Sequence, residues 1–251
     1  MPYARRRTKA RKVRRLRKKK TVASLNKSVS FTRIKGNKVF PASMTIKQKY
    51  FMQGYIPASV TSGYFDVYLN SANDALDTGY DFVNAVNNVG VLLNSGVVTQ
   101  NAQGTDTLQS IYLKNRTLAS RITVQCNPLA LSDTVYIVIV PFLLNVGNPL
   151  VSEVAYYPNQ KTRMCNSNYA SQGKNTLSHS MSVAKFMGVS SSVVNSDDKY
   201  VSGAGTFPDT LICWRVLYYS AAAQTTSNRL VFKVNLTNTT RFEGLKTDNS
   251  Y

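Results

Sequence analysis

Twelve of the first twenty residues are Lys or Arg: Arg5, Arg6, Arg7, Lys9, Arg11, Lys12, Arg14, Arg15, Arg17, Lys18, Lys19 and Lys20. Guanidinium groups offer forked donors to phosphate oxygens and ammonium groups act as point charges, so this density of the two makes a phosphate-binding tract. Each phosphate contact releases condensed counterions, which favours a polyanionic ligand. A tract without fixed geometry cannot read base edges, so binding independent of sequence is expected. The same cluster also suits a nuclear-localisation signal, and the two uses are compatible.

Elsewhere, side chains capable of chemistry are sparse. His179 is the only histidine, and Thr176-Leu-Ser-His-Ser180 sets it in a strand pattern, where a structural role is expected. No G-x-S-x-G, H-E-x-x-H or P-loop string occurs, and Gly173-Lys174 lacks the upstream glycines of a phosphate cradle. Gly203-Ala-Gly205 reads as a flexible turn. Asp197-Asp198 offers clustered carboxylates to a hard cation such as Ca²⁺, with further ligands from a neighbouring subunit; a solvated acidic loop is the simpler reading. Cys126, Cys165 and Cys213 are odd in number and far apart, form no C-x-x-C pair, and with a single histidine make no zinc set. Buried, reduced thiols are expected, with no cofactor, no metal centre and no enzymatic activity. Tyr50, Phe51 and Tyr55 follow Lys47-Gln-Lys49. They either stack bases or send alternate members into a core.

The charge is as uneven as the chemistry. The net charge is +19, and the eighteen Lys/Arg residues before the first acid, Asp66, account for nearly all of it. From Asp66 onward thirteen basic residues face twelve acidic ones, so a nearly neutral folded domain is expected behind a polycationic arm. Like charges this dense repel, and Val13 and Leu16 are too few to bury an apolar face, so the arm is expected to be disordered. It has no Trp or Phe to insert into a membrane. The longest apolar run, Val135–Leu144, is too short to span a bilayer, and no membrane insertion is expected.

The elements expected to position these residues are strands. Alternation of apolar and polar positions, with Val, Ile, Tyr and Phe enriched, marks Met44–Tyr55, Tyr64–Leu69, Arg121–Cys126, Thr134–Val140, Thr176–Met187, Thr210–Tyr219 and Arg229–Leu236. Thr134–Val140 is apolar enough to be buried on both faces. Trp214 lies inside a strand and is expected to pack in the core. Helical signal is thin, limited to one or two short turns around Asp77–Asn88, where a loop fits equally well. Long polar loops are expected at Asn70–Thr107, Asn145–Asn175 and Gly188–Asp209, a length that suggests contacts between subunits. Seven or eight strands suit an all-β, two-sheet Greek-key jelly roll over residues 43–251, behind an arm and linker over residues 1–42.

This order of parts resembles the capsid proteins of small circular single-stranded DNA viruses, the circovirus-like group. The resemblance is carried by the Arg-rich start Met1-Pro-Tyr-Ala-Arg-Arg-Arg and by Leu-Gln-Ser-Ile-Tyr-Leu-Lys-Asn-Arg leading to Arg-Ile-Thr-Val-Gln-Cys-Asn-Pro within residues 108–141. The closing Arg229–Phe242 resembles a last jelly-roll strand. Thr176–Gly188 equally resembles capsids of small icosahedral RNA viruses, which leaves the cargo open between DNA and RNA. The resemblance implies two four-stranded sheets and a homo-oligomeric icosahedral shell, sixty copies in the simplest case, with the arm inside. At eighteen cations per copy such a shell would neutralise roughly a thousand phosphates. It also implies a host nuclear import receptor, assembly in the host nucleus, and an unidentified host cell receptor. Two other classes remain: a cellular nucleic-acid-binding protein with a basic tail, and a β-sandwich enzyme or lectin fused to one. A cellular module of that kind would be expected to carry its own basic face.

Overall fold

The computed structural model describes residues 40–56, 62–73, 81–84, 90–92, 98–100, 102–128, 134–144, 157–166, 175–220 and 230–246. The twelve arm cations and the linker up to residue 39 lie outside the described residues. The strands are β1 (Ser43–Ile56), β2 (Ser62–Tyr68), β3 (Asp81–Asn84), β4 (Gly90–Leu92), β5 (Val98–Gln100), β6 (Tyr112–Pro128), β7 (Thr134–Leu143), β8 (Lys161–Asn166), β9 (Thr176–Ser182), β10 (Ile212–Ser220) and β11 (Leu230–Leu245). Among the described residues three short helices accompany them: α1 (Thr105–Ile111), α2 (Val183–Met187) and α3 (Ser191–Ser196), the last followed by a 3₁₀ turn over Asp198–Tyr200.

Among the described residues the strands make two antiparallel sheets, one of five strands in the order β5-β1-β11-β6-β9 and one of six in the order β4-β3-β2-β10-β7-β8. The first and last long strands pair along their whole length, from Ser43↔Glu243 to Ile56↔Leu230. The chain crosses between sheets so that β1, β11, β6 and β9 form one layer and β2, β10, β7 and β8 the other. That wrapping is a Greek-key jelly roll.

Period two explains why these sequences become sheet layers. In β1, Gln48, Tyr50 and Met52 are buried while Lys47 and Lys49 are exposed. In β6, Ile122, Val124 and Cys126 turn inward to meet Val234 and Leu236 of β11 and, across the sandwich, Ile137 and Ile139 of β7 and Val67 of β2. Ring stacking and a buried hydrogen bond help stitch the layers. Phe65 of β2 stacks on Phe232 of β11 with ring centroids 5.0 Å apart. Trp214 of β10, fully buried, donates from Nε1 to Ser120 Oγ of β6 at 2.9 Å.

The six-stranded sheet is buried on both faces along β7 and β10. Its second face carries a small apolar cluster of Tyr64, Val138, Val140 and Leu217, with Tyr157 packed against it. There Arg215 meets Asp66 directly across the ladder, with Nε on Oδ1 at 2.8 Å and Nη2 on Oδ2 at 2.6 Å. The Tyr64 and Phe142 rings lie 3.8 and 4.2 Å from the guanidinium carbon. A bidentate, ring-flanked pair is what makes a buried charge tolerable here.

Several expectations are corrected. Asp81–Asn84, within the segment read as loop or helical turns, is the strand β3. The Thr176–Met187 strand stops at Ser182, whose side chain caps α2 by accepting from Lys185 N at 3.2 Å, and Gly188 closes that helix at φ 66°. The Asn145–Asn175 loop contains β8, an edge strand exposed at its first four positions, which therefore carries no alternation to read. The Gly188–Asp209 loop contains α3 and the 3₁₀ turn, and the Asn70–Thr107 loop contains β3, β4, β5 and the start of α1. The sheets hold five and six strands, not four each. Pro141 continues β7 because β8 pairs only Thr134–Ile139, leaving Pro141 beside β10 alone, an edge position where a missing N–H is tolerated.

Candidate nucleic-acid interface

The solvent face of the five-stranded sheet gathers what the sequence scatters. Its register sets residues of β1, β11, β6 and β9 side by side in four rows: Lys47–Thr239–Ala119–Ser182, Lys49–Thr237–Arg121–Ser180, Phe51–Asn235–Thr123–Ser178 and Gln53–Lys233–Gln125–Thr176. Neighbours within a row are about 4.8 Å apart and rows about 6.7 Å apart. Lys47, Lys49 and Arg121 are exposed and Lys233 is half-buried. Across the first two rows an open groove of about 640 Å³ is lined by Lys47, Lys49, Arg121, Ser180, Thr237 and Lys185 of α2, among others.

No carboxylate stands in these four rows. The nearest along β11 is Glu243, two rows beyond Lys47, and Arg241 Nε occupies it at 2.8 Å. Among the described residues, Lys47, Lys49, Arg121, Lys185 and Lys233 form no ion pair within the chain. The remaining row members are hydroxyls and amides. Thr123 Oγ1 and Ser178 Oγ share a hydrogen bond at 2.8 Å. Cations without carboxylate partners, interleaved with hydroxyls and amides, present the chemistry that suits phosphate oxygens.

This face changes the charge reading. Lys47 and Lys49, counted with the basic start of the chain, belong to β1, so residues 43–251 hold fifteen Lys/Arg against twelve Asp/Glu. Several acids are engaged elsewhere: Asp66 by Arg215, Asp197 by Lys199 at 3.0 Å, and Asp198 by Lys114 at 3.5 Å. A near-balanced total therefore hides a one-sided surface. The signal was present in the alternation Lys47-Gln48-Lys49, but Arg121 and Lys233 join it only through strand register.

The other sequence candidates resolve individually. Tyr50 faces the core, its hydroxyl donating to the Ala72 carbonyl at 3.1 Å, while Phe51 faces outward and is half-buried. The side chain of Tyr55 lies outside the described residues. His179 is buried, with Nε2 on the Asn159 carbonyl and its ring 4.9 Å from Trp214, and burial holds its pKa below the ordinary value despite that bond. Its place between the layers is a packing role. Asp197 is held low by hydrogen bonds from Lys199, backbone first, and among the described residues no three His, Cys, Asp or Glu side chains cluster as a metal site. All three cysteines are free and buried, and burial pushes the Cys126 and Cys213 thiols well up.

No protein-family model and no curated protein matches the chain. Solved structures similar to it include Desmodium yellow mottle tymovirus, at 10% identity and TM-score 0.41, covering 89% of this chain and 100% of that one. The decameric BFDV capsid protein is similar at 9% identity and TM-score 0.42, covering 80% and 99%. Tobacco necrosis virus is similar at 8% identity and TM-score 0.42, covering 82% and 97%. At this level of likeness the jelly-roll assignment rests on the strand order itself.

Proposed function

We propose that this is a structural capsid protein that self-assembles into a small icosahedral shell and packages single-stranded nucleic acid, with circular single-stranded DNA the favoured cargo. The observation that carries the reading is the pairing of two cationic features of different kinds: the twelve-cation tract at residues 5–20 and a sheet face with four cations and no carboxylate. In this reading the jelly roll forms the wall and its five-stranded sheet lines the interior. The tract neutralises genome phosphates in bulk, without reading sequence. Before assembly the same tract engages a host nuclear import receptor.

The sheet face also favours a second reading. A cellular nucleic-acid-binding protein with a basic tail is expected to carry a basic face on its folded domain, and this domain does. Assembly separates the two. Sedimentation and electron microscopy of the full chain are expected to give closed shells containing nuclease-sensitive polymer, whereas monomers or dimers alone would overturn the capsid reading. Deleting residues 1–20 is expected to leave a soluble domain stripped of most of its nucleic acid. Undiminished copurifying nucleic acid would remove the tract from the mechanism.

A further inference from the structure

Phosphate binding accounts for Lys47, Lys49 and Arg121 but not for the aromatic ring beside them. Phe51 stands on the solvent face, one row from Lys49 and one strand from Asn235, while its neighbour Tyr50 turns into the core. We propose that this face is a single-strand platform: phosphates seat on Lys47, Lys49 and Arg121, and a base stacks on Phe51. The proposal rests on the reading of the protein as one that packages nucleic acid.

The arrangement fits a single strand better than a duplex. The row spacing of about 6.7 Å between Lys49 and Phe51 is about the reach of a sugar between a phosphate and its base. An unpaired base offers a π-face to any aromatic ring, which makes such stacking tolerant of sequence. A duplex keeps its π-faces inside the helix and would leave Phe51 without a partner. Asn235 directly across the ladder and Gln53 one row on set amides beside the ring, able to donate to or accept from any base edge. No carboxylate stands in the four rows to repel the backbone.

The test uses the full chain carrying Phe51→Trp, because the natural tryptophan, Trp214, is sealed in the core. Binding is followed by anisotropy of a labelled oligothymidylate of about sixteen nucleotides, and stacking by tryptophan emission. Saturation is expected to quench the added emission about twofold or more, and an oligouridylate is expected to do the same. Duplex DNA and inorganic polyphosphate, bound through the arm, are expected to leave it unchanged. Adding Lys47→Gln, Lys49→Gln and Arg121→Gln is expected to weaken the quenching isotherm about tenfold and to lower its salt slope by about two. Full anisotropy with unchanged emission, or equal quenching by polyphosphate, would overturn the platform alone. No oligonucleotide binding at all would overturn the packaging reading beneath it. Should Phe51→Trp fold poorly, Phe51→Leu keeps apolar volume without a ring, and its full-chain affinity for oligothymidylate is expected to fall severalfold while duplex affinity holds. Equal retention of both affinities would overturn stacking.

Discussion

The two sheets use the same strand period, yet Arg215 in one and Lys47, Lys49 and Arg121 in the other stand in opposite surroundings. In the six-stranded sheet Arg215 is nearly sealed from solvent and turned onto Asp66, with Tyr64 and Phe142 against the guanidinium. In the five-stranded sheet Lys47, Lys49 and Arg121 stand exposed, with no carboxylate in their rows. The first arrangement spends a charge on the fold, because an ion pair out of water holds only when both partners and their hydrogen bonds are present. The second leaves the charge for a ligand from outside. Burial, more than residue type, separates a structural cation from a binding one.

That contrast can be broken most forcefully at the buried pair. Asp66→Ala leaves a buried guanidinium without its carboxylate and is expected to lower unfolding free energy by about 3–5 kcal/mol in urea titrations. Replacing both partners, with Asp66→Leu and Arg215→Met, is expected to recover most of the loss. A single-variant loss below about 1 kcal/mol would place the pair with surface ion pairs instead.

The seam between the sheets gives a smaller effect. Burial disfavours the charged form of His179, so its folded pKa lies below the ordinary 6.5. As pH falls through about 6.5 the unfolded chain takes up the proton first. The contribution is thus fully present above that pH and is lost as pH drops toward the folded value. His179→Gln is expected to flatten the fall in stability between about pH 7 and 5.5, measured by denaturation at each pH. A slope unchanged by the substitution would assign the acid sensitivity to other groups.

The smallest expected change is the sharpest control. Lys47→Gln, Lys49→Gln and Arg121→Gln, made singly, should each shift stability by no more than about 0.5 kcal/mol, because solvent already covers these groups. A cost above about 1 kcal/mol at any of them would make it a structural cation, and the contrast between the sheets would fail there.

Much of the jelly roll was legible in single strands. Within Thr134–Val140, burial on both faces runs from Ile137 to Val140, as the apolar run implied, and Trp214 sits in the core. What escaped notice lacked alternation: β8 is an exposed edge, and β3 to β5 are three or four residues each. The helix after Ser182 was missed because Ser182 caps it locally while Thr176–Ser182 upstream keeps strand period. At the candidate interface only Lys47 and Lys49 were visible as a pair. Arg121 and Lys233 are isolated in the chain, and the charge total from Asp66 onward conceals them.

By itself the sequence determined the dense positive charge of residues 5–20 and the strand character of most of the rest, because charge density and period two are local properties of the chain. The tertiary structure alone decided that Lys49, Arg121 and Lys233, drawn from three strands, share one face with Phe51 and no carboxylate. Register is the physical reason: the ladders among β1, β11 and β6 set which side chains become neighbours, and a one-residue slip of any of these strands would turn its cations toward the core.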